Sequence, residues 1–376
     1  MKHGLSRHLI AIAMLTFAVI PVRLIAQDNH DGGDVTLITL DAPGAGTSAG
    51  QGTIILAISP SGAIAGPYID ANNVYHGFLR TPDGSITTFD APGGGTSAGQ
   101  GTFPQSITAE GAITGNYFDA GNVSHGFIRP GDGTITAFDV PAAGKGSGQG
   151  TTAEDINPAN TIAGEYRDAN NVLHGFLRTP DGTITTFDAP GGGTGAGQGT
   201  GPGNVSCLNP LGAVSGGFTD ANNVTHAFIR APDGTFTTFD APGAATFTFA
   251  GSINPAGSVT GPYLDANNVW HGFLRTLDGT ISTINAPGAG TAAGQGTFAG
   301  NLNPSLAITG YVIDASNVNH GFIRAGDGTI ITFDIPGAGT GVGQGTFPFS
   351  NNSAGAITGY YIDKNNVYHG FLRGGQ

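Results

Sequence analysis

The sequence predicts an all-β fold: a seven-bladed β-propeller of four-stranded blades, closed by its own N-terminal strand. Three observations predict it. A His-Gly-Phe core, His-Ala-Phe once, recurs at His76, His125, His174, His226, His271, His320 and His369, spaced 49, 49, 52, 45, 49 and 49 residues apart. Each repeat holds four short runs rich in Ile, Val, Phe, Tyr and Thr, separated by Asn-Pro, Asn-Asn and Asp-Gly pairs that suit tight hairpins. The two ends of the array are complementary. Four strands in a unit of this length is the pattern of propeller blades.

Residues 101–139 show one unit in order. Runs at 102–107, 112–118, 123–129 and 134–138 are joined by short turns, and a glycine-rich connector, 141–150, leads into the next unit. Apolar and polar residues do not alternate strictly, as in His125-Gly126-Phe127-Ile128, which suits sheets covered on both faces. No helical periodicity appears after Asp34. Residues 35–41 match only a fourth strand, and the sequence ends after 367–373, a third strand lacking its fourth. The first run therefore supplies what the last unit lacks, as ring closure requires and a capped solenoid does not.

Lys2 and Arg7 precede an apolar run from Leu9 to Ile20, with small Ala26 shortly after. Such a run is too short to span a bilayer and suits a signal peptide. The expected organisation is a leader at 1–26, a linker at 27–34 and one propeller domain at 35–376, exported to the periplasm or beyond the cell as a monomer. Without the leader the chain carries 10 Lys+Arg against 26 Asp+Glu, a formal charge of −16. That charge disfavours nucleic acid and anionic lipid, and no stable membrane insertion is expected after cleavage. Glycine (66) and proline (22) fall at fixed repeat positions, so they read as turn chemistry rather than disorder. Cys207 is the only cysteine and reads as a small buried hydrophobe.

A four-stranded meander sends its second-to-third turn and its connector to the same end. One face thus receives Asp70, Asp119 and their repeats from the turns, with Asp41, Asp90, Asp139, Asp188, Asp240 and Asp334 from the connectors. The opposite face receives the strand-end arginines, Arg80 and its repeats, beside Asp-Gly turns with which they can pair. The candidate binding face is the acidic one, with Gln51, Gln100, Gln149, Gln198, Gln295 and Gln344 beside Asp90, Asp139, Asp188, Asp240 and Asp334. Amides and carboxylates around a mouth suit a sugar or a divalent cation, although aspartates repeated in every unit also suit turn capping. Asp-Ala-Asn-Asn-Val lacks the alternating spacing of a calcium loop, so no cofactor is expected and Ca²⁺ is the one candidate ion. The histidines lie in separate units within third strands, so they read as packed rings bonded to a turn rather than as a metal site. No acyl-transfer triad or phosphate loop appears, and no catalytic residue is assigned.

Two connectors depart from the pattern. Three residues are gained around Gly201-Pro202-Gly203, and four are lost where Phe247-Thr248-Phe249 replaces Gly-Gln-Gly-Thr. Any specialised chemistry is expected there, near 195–205 and 243–250.

His226-Ala227-Phe228, the Asn254-Pro255-Ala256-Gly257 turn and the Tyr-x-Asp-Ala-Asn-Asn run resemble the extracellular HAF-repeat family, over residues 35–373. The resemblance implies a secreted bacterial β-propeller and brings no catalytic residues. The Gly-x-Ile-Thr-x-Phe strand is also similar to streptogramin-lyase propellers, without their tryptophan motif. The function expected is a non-catalytic binding or scaffold module that offers its acidic face to glycans or proteins. The alternative is a propeller polysaccharide lyase or hydrolase using aspartates at the channel mouth.

Overall fold

The computed structural model describes residues 23–27, 34–203 and 206–374. Every regular element is a β-strand, and no helix long and apolar enough to cross a membrane is present among these residues. The repeating unit is an antiparallel meander. Gly101–Ile107 pairs with Ile113–Phe118, that strand with Ser124–Arg129, and the last with Thr136–Phe138. These are the four runs read from the sequence, trimmed or extended by a residue or two. The third strand also touches the next unit through one parallel pairing, Ser124 with Gly150. A Cβ on Gly150 would lie 2.0 Å from the Ser124 carbonyl oxygen, and its φ is +114°, so this crossing requires glycine.

The first strands share an irregularity. Register shifts at Pro104/Ser106, Ala153/Asp155, Ala299/Asn301 and Pro348/Ser350 leave Gln105, Glu154, Gly300 and Phe349 as extra residues. Such bulges bend a strand and re-aim its side chains.

The core is repeated rather than single. The phenylalanine of every His-x-Phe strand (Phe78, Phe127, Phe176, Phe228, Phe273, Phe322, Phe371) is fully buried. A fourth-strand phenylalanine of one unit meets the next unit's core ring edge-on, as Phe89 does Phe127 at 6.3 Å. The arginine ending that same third strand covers its other side, Arg129 lying 4.8 Å above Phe89 and Arg178 4.8 Å above Phe138. The expected arginine–aspartate pairing is present as charge attraction, Asp83 acting on Arg80, Asp132 on Arg129 and Asp233 on Arg230. Asp83 and its repeats also accept hydrogen bonds from their own turns, as from Ser85 N at 3.0 Å. A planar guanidinium stacks favourably on a neighbour's aromatic face.

The ring closes through its ends. Asp34–Leu40 pairs with Tyr368–Arg373, from Leu37 opposite Arg373 to Leu40 opposite Gly370. Gly52 then crosses to Tyr368 as Gly101 crosses to Tyr75. A further strand, Arg23–Gln27, pairs along Asp34–Leu40. The expected leader boundary at residue 26 therefore falls within a paired strand. Residues 1–22 of the leader and 28–33 of the linker lie outside the described residues.

Candidate functional site

Six of the seven third-strand histidines stand between two aspartates at one end of the meander, and His271 stands between Asp265 and Asn285. His125 Nδ1 lies 3.0 Å from Asp139, and its Nε2 lies 3.5 Å from Asp119. The geometry recurs at His76, His174, His226, His320 and His369, with Nδ1 contacts of 2.8–3.0 Å and Nε2 contacts of 3.5–3.8 Å. At His271 the Nδ1 partner is Asn285 Oδ1, at 2.7 Å. Since a carboxylate only accepts, Nδ1 carries the proton. Five of the rings stack on the second-strand tyrosine, as His125 on Tyr117 at 4.9 Å, while His226 tilts against Phe218. Val312 stands opposite His320. The sequence reading placed both aspartate sets on one face; the histidine is what joins them, within a single unit.

The two aspartates of a station differ in kind. Asp119 caps its turn: the Val123 N–H outweighs burial and, with the Gly121 N–H and His125, holds its carboxyl below the usual range. The outer aspartates are open, with Asp90 63%, Asp188 60% and Asp334 54% exposed at the side chain. At His320 burial pushes the imidazole down, but the Asp334 hydrogen bond and charge outweigh it and raise the pKa. Beside His125, a hollow of about 460 Å³ is lined by Asp119, Asp139 and the 140–145 connector. Among the described residues, no three His, Cys, Asp or Glu are placed to share one metal ion.

The candidate glutamines are placed otherwise. Gln100 Oε1 accepts from Ser97 N at 3.1 Å, while its Nε2 donates to Ala120 O at 3.2 Å and Asn122 Oδ1 at 3.0 Å. Gln51, Gln149, Gln198 and Gln295 repeat that staple, and Gln344 makes it to Gly341 N and Asn366 Oδ1. Each ties a connector to the next turn, so the amides are occupied. The acidic face offers Asp90, Asp139, Asp188, Asp240 and Asp334, with the histidines between.

A different group of carboxyls gathers on the first and second strands of one unit, with Glu154 and Asp155 buried and Glu165 partly buried. Glu154 is the bulged residue of Gly150–Ile156, and Glu165 sits on the paired strand Ile162–Arg167. Burial pushes Glu165 up to about 7 against the pull of Arg167, and burial followed by the charges of Glu165 and Asp155 raises Glu154 well above its usual value. Asp155 is lifted to about 6 by burial, although Ser106 Oγ at 2.6 Å and Leu208 N at 2.8 Å donate to it. Other units carry Leu56, Gln105, Gly300 or Phe349 where Glu154 stands, and Pro67, Asn116 or Tyr311 where Glu165 stands. The sequence reading passed over them. Loss of the repeat pattern at both positions was the available signal.

The departure at 195–205 adjoins this group. A Cβ on Gly201 would lie 2.5 Å from Glu165 Oε2, so glycine makes room for the carboxyl. Beyond Gly203, Ser206 has φ +67° and accepts from Asn301 Nδ2 at 2.9 Å, from a unit two places further round the ring. Cys207 is fully buried, its thiol raised by burial first and then by Asp155 and Glu154. At 243–250, Phe249 and Phe298 line a small cavity with Phe349.

No family model matches the chain, and no curated protein matches it in sequence. Solved structures do match. Virginiamycin B lyase from Staphylococcus aureus aligns over 90% of this chain and 99% of its own, with a TM-score of 0.55 and 14% identity. The BP39L lectin from Burkholderia pseudomallei covers 88% and 97%, with a TM-score of 0.55 and 10% identity. Puromycin hydrolase covers 84% of this chain and 50% of its own, with a TM-score of 0.52 and 13% identity. At such identities the likeness is one of fold: this chain has the architecture of a β-propeller.

Proposed function

We propose that the chain is a secreted, non-catalytic binding module of the HAF-repeat kind, a seven-bladed propeller whose acidic face engages extracellular glycans. Repetition carries the reading. The same aspartate–histidine station stands on every third strand, with an exposed carboxylate in six of them and an amide in the seventh. Identical weak sites at fixed spacing gain by multivalency, whereas a catalytic centre needs one distinct constellation. The likeness to a lectin supports such use of the fold, and carboxylates are strong acceptors for sugar hydroxyls. The test is a glycan array with purified protein, repeated with Asp90, Asp139, Asp188, Asp240 and Asp334 changed to Asn. Signal lost in the variant supports the reading. Capture of proteins alone, from an extracellular fraction, would replace glycans by a protein partner.

A polysaccharide lyase or hydrolase is the second reading. The buried carboxyls favour it, because raised pKa values in one unit suit general acid work. Release of reducing ends from any polysaccharide, abolished by Glu165→Gln and kept by the aspartate variant, would establish it.

A further inference from the structure

The first strand is the innermost of each unit, and neighbouring first strands lie side by side round a central channel, as Gly101–Ile107 beside Gly150–Ile156. In Gly101–Ile107, Gly296–Leu302 and Gly345–Asn351 only the third and fifth residues are partly open, and the others are buried. Those two positions therefore line the channel, and their chemistry changes round the ring.

One side is aromatic. Phe298, Tyr311, Phe347 and Tyr360 form an unbroken run across two units, with ring centroids 5.1, 5.2 and 5.0 Å apart in turn. Phe349 joins it 5.6 Å from Tyr360. At the fifth position Gly251 and Gly300 carry no side chain, and a cavity of about 90 Å³ opens there between Phe249, Phe298 and Phe349.

The other side is acidic. Glu154 holds the fifth position of Gly150–Ile156, level with those glycines in the repeat, and Glu165 stands opposite Thr152 at the third. Glu154 is only 8% exposed, yet among the described residues neither glutamate accepts a hydrogen bond or forms an ion pair. Nor are their oxygens sealed from solvent, as the hydroxyls of Ser215 and Thr309 are. Arg167, two residues along the same strand, acts on Glu165 by charge alone. Burial pushes both carboxyls up, Glu165 to about 7, and the charge of Glu165 adds to the rise at Glu154. A cation set beside the pair offsets both effects.

We infer that the channel binds an arylalkyl ammonium ion, its aromatic body in the cavity at Phe249, Phe298 and Phe349 and its ammonium donating to Glu154 and Glu165. Mostly apolar lining with a few placed polar groups is the usual make-up of a small-molecule site, and aromatic faces attract both rings and cations. The site occurs once and does not depend on the repeated stations of the acidic face.

The test uses the full chain with 2-phenylethylamine, 4-phenylbutylamine and tryptamine, whose alkyl chains differ in reach, each read by ligand-observed saturation-transfer NMR and then by titration. At least one amine is expected to bind, and the neutral 2-phenylethanol at least about tenfold more weakly. Glu154→Gln with Glu165→Gln should weaken the amine by at least about tenfold and raise the melting temperature. A Cβ at Gly251 meets nothing nearer than 3.9 Å, so Gly251→Leu fills the cavity in a folded chain and should abolish binding. The five-fold Asp→Asn variant of the acidic face should bind the amine unchanged, which separates this site from the one proposed there. Absence of binding by all three amines, equal binding of the alcohol, binding that either channel variant leaves intact, or binding lost with the acidic face overturns the inference.

Discussion

His369 Nδ1 lies 3.0 Å from Asp41 Oδ1, a contact between residues 328 apart that reproduces one made elsewhere over 14 residues. The same imidazole faces Asp363 through Nε2 at 3.8 Å and stacks on Tyr361. The strand that closes the ring is thus held by backbone pairing and by a titratable clasp.

The clasp makes closure depend on pH. The Asp41 hydrogen bond, over the opposing cost of burial, raises the His369 pKa, with Asp41 and Asp363 charges adding to it. A raised folded value gives stability that is fully present below the unfolded pKa of about 6.5 and is lost as pH rises through the folded value. The melting temperature is expected to fall across that window, and His369→Gln should flatten the fall. Thermal melts of both proteins from mildly acidic to mildly alkaline pH check this; parallel curves would count against the clasp.

Removing residues 34–40 takes away the partner of Tyr368–Arg373 and bares that strand. An unpaired edge recruits other chains. The truncated protein should melt earlier and sediment as aggregates, whereas a monomer with an unaltered melt would show that closure rests elsewhere.

The buried carboxyls predict the opposite of ordinary acid sensitivity. Glu165, lifted to about 7 by burial, takes up a proton on folding, so its contribution declines as pH climbs from its usual carboxyl range to that value. Glu165→Gln should lessen the decline, leaving the part due to Glu154 and Asp155, and stabilise the protein most at pH values above 7. Urea titrations on either side of neutrality measure it, and a uniform shift at every pH would contradict the assignment.

The arginine–phenylalanine contacts between units are open to a graded test. Arg178→Met keeps the aliphatic stem over Phe138 and removes the charge. A loss of about 0.5–1 kcal/mol is expected, against about 3–5 kcal/mol for Phe176→Ala in the core beneath. A loss near zero would mean that the arginine matters through packing alone.

The sequence showed the strands because turn pairs and β-branched runs repeat in phase, and seven copies average out local ambiguity. It placed Asp119 and Asp139 on one face by topology alone. It did not show that Gln100 is consumed by Ala120 and Asn122, because hydrogen-bond partners twenty residues away depend on how the connector folds back. Glu154 and Glu165 are eleven positions apart and look like ordinary surface charges until a bulge and a hairpin set them together. The rings under the arginines were not legible for a related reason: such a ring, as Phe89 beneath Arg129, belongs to the neighbouring unit.

The split unit at the ends has a consequence for how such rings change size. Its fourth strand comes from the start of the chain and its other three from the finish. Gain or loss of one whole repeat between them leaves the same two complementary ends, still able to zip together. The join is indifferent to the number of copies it encloses. A gene of this design can shrink or grow by duplication without inventing a new seal, and only curvature limits how many sectors fit.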